Sequence, residues 1–190
     1  MKSNKLRTMI FLALCCDLGL FAKRMVNPFA NLLTDALHIP GGVGTSFSLM
    51  FLVVAAAMTP YAFCGGTMGV VQSALALGLG MVGSMGALSP VGYIVPGLVI
   101  DFIFAATKNS GMSRKERIVL ANAAASPCAA LAANLIVFHL SGVVLLLYLS
   151  VAATSGALCG LLGARLTTRL APVIGAGLPY DGPVRKGVSA

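Results

Sequence analysis

The sequence predicts an all-α membrane protein of six transmembrane helices with both chain ends on the cytoplasmic side. Three observations carry that fold class. Between Asp35 and Asp101 there is no Asp, Glu, Lys or Arg; about 65 such residues leave room for three crossings at ~20 apolar residues each. A second uncharged stretch, Ile118 to Ala164, holds about two more crossings by the same measure. The basic residues gather in short pieces at the ends of these stretches, as topogenic charge does.

The first span is expected over residues 8–22, flanked by Lys2, Lys5 and Arg7 before it and Lys23-Arg24 after it, bases whose long stems can snorkel to the interface. The same run resembles a signal peptide, but Asp17 interrupts it and Lys23-Arg24 stands where a cleavage site would lie, so a retained helix is expected. Asn27-Pro28 and Pro40-Gly-Gly then read as breakers, with a short interfacial helix between Phe29 and Leu37. The second span is expected over 45–62, with Tyr61 at headgroup depth. Cys64-Gly-Gly reads as a tight turn, and a glycine-rich third span follows over 67–88.

Ser89-Pro-Val-Gly is the next break, and the fourth span, 92–107, contains Pro96 and Asp101. Lys108 to Arg117 is a strongly charged internal loop, with Lys108, Arg114, Lys115 and Arg117 against Glu116. The fifth span is expected over 118–139, broken at Ser126-Pro127, and the sixth over 143–164 after a Ser141-Gly142 turn. A basic tail covers 165–190. With six spans, the N-terminus, the Lys108–Arg117 loop and the tail share one side, which the positive-inside rule makes cytoplasmic. Lys23 and Arg24 are the exception, at the outer face.

Composition narrows the function. Of 190 residues, 58% are hydrophobic and 9% charged, against ~25% charged in an ordinary globular domain; a single membrane domain is expected. The net charge of +8 lacks the stripe of bases with interleaved aromatics that nucleic acid requires. Five acidic residues in all leave almost no paired carboxylates for acid–base or metal work, and no zincin, nucleophile-elbow or phosphate-loop motif occurs. No catalytic residue, metal site or cofactor is therefore assigned. The cysteines, Cys15, Cys16, Cys64, Cys128 and Cys159, form no C-x-x-C pair and read as packing residues.

Asp101 lies about nine residues into its span, where an ionised carboxylate costs several kcal/mol unless paired or hydrated. It reads as a substrate or partner contact, or as a group that reaches water or pairs with Lys108 or Arg114. Asn134 and His139 fall in the outer part of the fifth span, level with Tyr93 and Tyr148, an arrangement that fits a pocket opening outward; each also fits an ordinary interhelical hydrogen bond. Small-residue stripes mark Cys15/Gly19, Gly69/Ser73, Ala74/Gly78 and Gly156/Gly160, positions that let helices approach closely within the chain or against a partner.

Gly41-Gly-Val-Gly-Thr-Ser-Phe-Ser-Leu-Met running into the second span, the glycine-rich third span, and Ser89-Pro-Val-Gly-Tyr93 followed by Pro96-Gly-Leu-Val-Ile-Asp101 together resemble the S components of energy-coupling factor (ECF) transporters. The resemblance covers the whole chain. It implies an S-component-like bundle in a prokaryotic cell membrane that captures a vitamin or vitamin precursor, the thiamine-pyrimidine kind being one candidate. It implies partners as well: a transmembrane coupling subunit and two cytoplasmic ATPases of the ABC type. Outer loops and outer helix halves would bind substrate, which here brings in Gly42, Thr45, Ser89, Tyr93, Asp101, Asn134, His139 and Tyr148. The family's Ala-x-x-x-Ala docking pattern on the first helix is broken, because Ala13 is followed four residues later by Asp17; Cys15 and Gly19 offer a substitute pair, and Gly156 and Gly160 a second small face. A stand-alone oligomeric carrier or channel, or a membrane assembly protein, are the competing expectations. Asp35 and Asp101 suit a cationic ligand, Lys23 and Arg24 an anionic one.

Overall fold

The computed structural model describes residues 2–37, 43–59, 61, 63–81 and 83–174. Six helices follow in chain order: α1 Lys2–Leu37, α2 Val43–Met58, α3 Cys64–Gly78, α4 Ser89–Ala106, α5 Arg114–Ala133 and α6 Gly142–Ile174. A 3-10 stretch, Gly83–Leu88, leads into α4, and a π turn, Asn134–Phe138, extends α5. No strand occurs among the described residues.

Among the described residues, three helical stretches are long and apolar enough to cross a membrane: Gly86–Ala106, Arg114–Phe138 and Gly142–Pro172; Gly44–Met58 is apolar but shorter. Large apolar side chains are exposed on many sides of the bundle, among them Ile10 and Phe21 on α1, Val71 on α3, Phe102 on α4, Leu135 beyond α5 and Leu161 on α6. A helical membrane protein is built this way, since lipid tails accept such side chains and water does not.

Proline does not divide the chain as its positions suggest. Pro28, Pro96, Pro127 and Pro172 all lie inside helices. Each removes one backbone donor, a loss that neighbouring helices make tolerable in membrane bundles. Two expectations are thereby corrected. The first helix does not stop at residue 22: α1 passes through Asn27-Pro28 to Leu37, and Phe29 to Leu37 are its last turns rather than a separate interfacial helix. Nor does Ser126-Pro127 break the fifth helix. Cys64-Gly-Gly, expected as a turn, is the first turn of α3, and α6 runs on past residue 164, taking the first residues of the expected tail into helix.

The helices alternate in direction. Ser48 on α2 donates to the Gly19 carbonyl on α1 at 2.7 Å, while Asn27, two turns further along α1, lies against Gly44 at the start of α2. Gly65 and Gly69 on α3 face Gly97 and Tyr93 on α4 in reversed order. Gly156 and Gly160 on α6 likewise face Ser126 and Val119 on α5. One end of the bundle therefore gathers the α2–α3 and α4–α5 connections with the charged loop (the basal end). The far end gathers the α3–α4 and α5–α6 connections.

α2 occupies the centre: Leu52, Val53, Val54 and Ala55 are fully buried. Close approach, not side-chain bulk, joins the other helices. A Cβ at Gly69 would stand 2.6 Å from the Tyr93 carbonyl, and one at Gly160 would stand 2.8 Å from the Val119 Cα. Between apolar helices in lipid this dispersion packing, together with hydrogen bonds, is what holds a bundle. A buried polar knot joins α2, α5 and α6: Asn122 donates to the Gly156 carbonyl at 2.8 Å, and Ser46 and Ser155 hydroxyls lie 2.9 Å apart. Cys15, Cys16, Cys64 and Cys159 are buried free thiols within the apolar clusters.

Candidate binding site at the far end of the bundle

Because α1 continues past residue 22, Cys16, Leu20, Lys23 and Asn27 follow one another at three- and four-residue steps along one helix face, with Gly19 beside Leu20. That face turns inward. Gly19 lets the Gln72 amide reach the α1 backbone, where Nε2 donates to the Cys16 carbonyl at 3.1 Å. Leu20 packs with Ala76 and Tyr93. One turn on, the Lys23 ammonium stands 4.1 Å from the centre of the Tyr93 ring, inside the range of a cation–π contact.

Tyr93 is 6% exposed and its backbone is held against Gly69 of α3. One turn earlier on α4 is Ser89, also on the buried face and 3% exposed. Its hydroxyl has no hydrogen-bond partner. A buried hydroxyl left unpaired costs ~1–3 kcal/mol, and such a group calls for an explanation. Ser89 and Tyr93 thus lie one turn apart on the buried face of α4, and the Lys23 ammonium of α1 meets the Tyr93 ring.

The expected residues on α5 and α6 form a second cluster. Asn134 closes the connection between the two helices: its amide donates to the Leu140 carbonyl at 3.2 Å and its carbonyl oxygen accepts from the Leu140 N–H at 2.7 Å. His139 is exposed, adopts a left-handed backbone (φ 50°), and its ring nitrogen lies 3.2 Å from the Val137 carbonyl. Tyr148 is buried and meets Phe138 edge-on at 6.2 Å. The π turn packs against the 3-10 stretch that precedes Ser89, which brings the two clusters to the same end of the bundle. Thr45 is half-buried in the first turns of α2, and Gly42 lies outside the described residues.

Asp101 does not join them. It lies two turns below Tyr93 on α4, toward the basal end, where its two carboxylate oxygens accept the Gly65 N–H at 2.8 Å and the Gly66 N–H at 2.7 Å. These are first-turn donors of α3, groups that every helix start leaves unpaired, and a carboxylate there also suits the helix dipole. The carboxylate is thus engaged in capping α3, away from the cluster around Tyr93.

Four of the five expected docking residues are also occupied internally. Cys15 is buried in the core, Gly19 meets Gln72 and Ser48, and Gly156 and Gly160 seat α6 on α5; a small residue consumed in this way has no surface to offer a partner. Ala13 is exposed, on the same helix side as Leu14 and Asp17.

The sequence puts Lys23 at the outer face as a charge suited to an anionic ligand but does not pair it with Tyr93. The three-four spacing from Cys16 to Asn27 carried the signal, hidden because the first span was expected to end at residue 22. No family model, curated protein or solved structure matches this chain.

Proposed function

We propose that the chain is the membrane-embedded capture subunit of an ATP-driven uptake system for a small water-soluble micronutrient, as its resemblance to ECF S components implies. The observation that carries this reading is the Ser89 hydroxyl, buried and unpartnered one turn from a tyrosine that holds a lysine ammonium. A donor, a cation and an aromatic face in a sheltered recess are what orients a small polar ring compound. Six crossings with the Lys108–Arg117 loop in the cytosol turn the far end outward, so the recess takes its ligand from outside the cell. The coupling subunit and two ATPases supply the energy, since the chain has no phosphate-loop motif of its own. Lys23 favours a ligand with an acceptor or anionic group, and a vitamin precursor of the thiamine-pyrimidine kind has the flat ring that would use Tyr93.

The test is to purify the chain alone in detergent and identify small molecules retained with it by mass spectrometry. A tightly held micronutrient, lost in Tyr93→Ala, supports the reading. Repeatedly ligand-free preparations that also capture no ATPase partner remove it. Solute transport in liposomes without any ATPase would replace it with the stand-alone carrier.

A further inference from the structure

The basal end contains a cavity of about 310 Å3 between the ends of α2 and α4 and the starts of α3 and α5. Lys108, Arg114 and Arg117 line it, with Asp101 as an opposing charge. Two of the three bases are held in place. Arg114 Nη2 donates to the Ala57 carbonyl at 2.8 Å, and Arg117 Nη2 donates to the Lys108 carbonyl at 3.2 Å. The Arg114 bond crosses from α5 to α2 and the Arg117 bond ties the start of α5 back to its own loop, so both guanidinium groups are held at the cavity wall. Arg117 is itself buried, which is rare for an arginine without a structural or binding role. The Asp101 carboxylate is already engaged by the Gly65 and Gly66 amides, and among the described lining residues three bases stand against this one acid.

Apart from Thr59 and Tyr61, the remainder of the wall is apolar. Phe104 and Ala57 form its interior, and Phe63 at its rim is exposed. A fixed cationic wall beside exposed aromatic surface, at the level where helices end, matches a phosphate joined to an apolar body. We propose that this cavity binds an anionic phosphate, and that the phosphate belongs to the headgroup of an anionic phospholipid. Basic pockets between transmembrane helices on the cytoplasmic side are suited to such headgroups, and arginine forks fit phosphate oxygens better than lysine does. The inference needs the bundle to sit in a bilayer but not the import reading; it stands or falls separately from the far-end recess.

The experiment uses the whole chain in mixed micelles containing equal phosphatidylglycerol and phosphatidylcholine, with retained lipid counted by native mass spectrometry. Phosphatidylglycerol is expected to be retained preferentially. Lys108→Gln, an exposed rim position that folding should tolerate, is expected to cut that preference about fivefold, the effect of one basic charge near a lipid surface. Arg117→Gln is expected to abolish it. Lys115→Gln, on the same basic loop but not on the cavity wall, is the control and should leave the preference unchanged. Retention of lipid through a wash in millimolar inorganic phosphate identifies the headgroup as the source; displacement, with phosphate protecting the wild type but not Lys108→Gln against heat, identifies a soluble phosphate at the same site. Equal retention of the two lipids, or equal losses in Lys108→Gln and Lys115→Gln, overturns the proposal.

Discussion

The Asp101 carboxylate lies 2.8 Å from the Gly65 amide, and through that contact α4 supplies the cap that α3 lacks in its own sequence. Phe63, the residue before α3, has no side-chain acceptor and adopts a left-handed backbone (φ 59°). An acid from the neighbouring helix therefore does what Ser or Asp does at an ordinary helix start. Asp101→Ala is expected to destabilise the protein by ~1–3 kcal/mol, read as a lower unfolding temperature in detergent. Asp101→Asn should recover part of the loss, because its one carbonyl oxygen can still accept. Ligand retention by the folded fraction should be unchanged, and a selective loss of ligand with intact stability would return Asp101 to the binding site.

Lys23 and Tyr93 make the opposite prediction. Lys23→Gln removes the charge but leaves a polar stem. Loss of a half-buried cation–π contact costs ~0.5–2 kcal/mol, so stability should fall only modestly while retention of the co-purified metabolite falls much further. Tyr93→Phe keeps the ring face and should keep most of the binding. The check is the ratio of retained metabolite to folded protein for each variant.

Glycines on paired helices should divide sharply. A Cβ at Gly156 would stand 2.6 Å from the Ser126 hydroxyl and 2.8 Å from the Asn122 carbonyl, whereas one at Gly78 meets nothing within 4 Å. Gly156→Leu is therefore expected to abolish the folded, monodisperse peak in size-exclusion chromatography. Gly78→Ala should be tolerated and should gain ~0.5–1 kcal/mol from the lower flexibility of alanine. If Gly156→Leu folds normally and loses only a partner subunit, the α5–α6 contact described above is wrong.

His139 separates a shape requirement from a chemical one. Its left-handed backbone (φ 50°) suits glycine better than any L side chain. His139→Gly is expected to raise stability by ~1 kcal/mol with no change in ligand retention. A fall in retention at unchanged or higher stability would place the imidazole in the recess.

The fold was legible where physics is local. The uncharged runs from Asp35 to Asp101 and from Ile118 to Ala164 announced apolar helices, and the charged segment Lys108–Arg117 separated the two runs. Ser113-x-x-Glu116 also marks the start of α5, with both bonds of the capping box formed (2.8 and 3.3 Å). Proline misled, because a proline in lipid-facing or packed helices is judged by its neighbours and not by its own propensity. Ending the first span at residue 22 left Lys23 off the helix face that it shares with Cys16 and Leu20, and its partner Tyr93 lies 70 residues away. Likewise, nothing within Pro96-Gly-Leu-Val-Ile-Asp101 says that the acid will meet Gly65 and Gly66; only the crossing of α3 on α4 makes it so. Residue types flagged polar side chains worth following, and tertiary distances sorted them into caps, clamps and recess.

The length of α1 has a mechanical result. Its 36 residues make a rod of ~54 Å at 1.5 Å each. Tilted by ~40°, the steepest lean common among membrane helices, it still covers ~41 Å along the bilayer normal, against a hydrocarbon layer of ~30 Å. Part of this rod must stand among headgroups or in water. Lys23, with its contact to Tyr93, lies on the same continuous helix as that protruding portion.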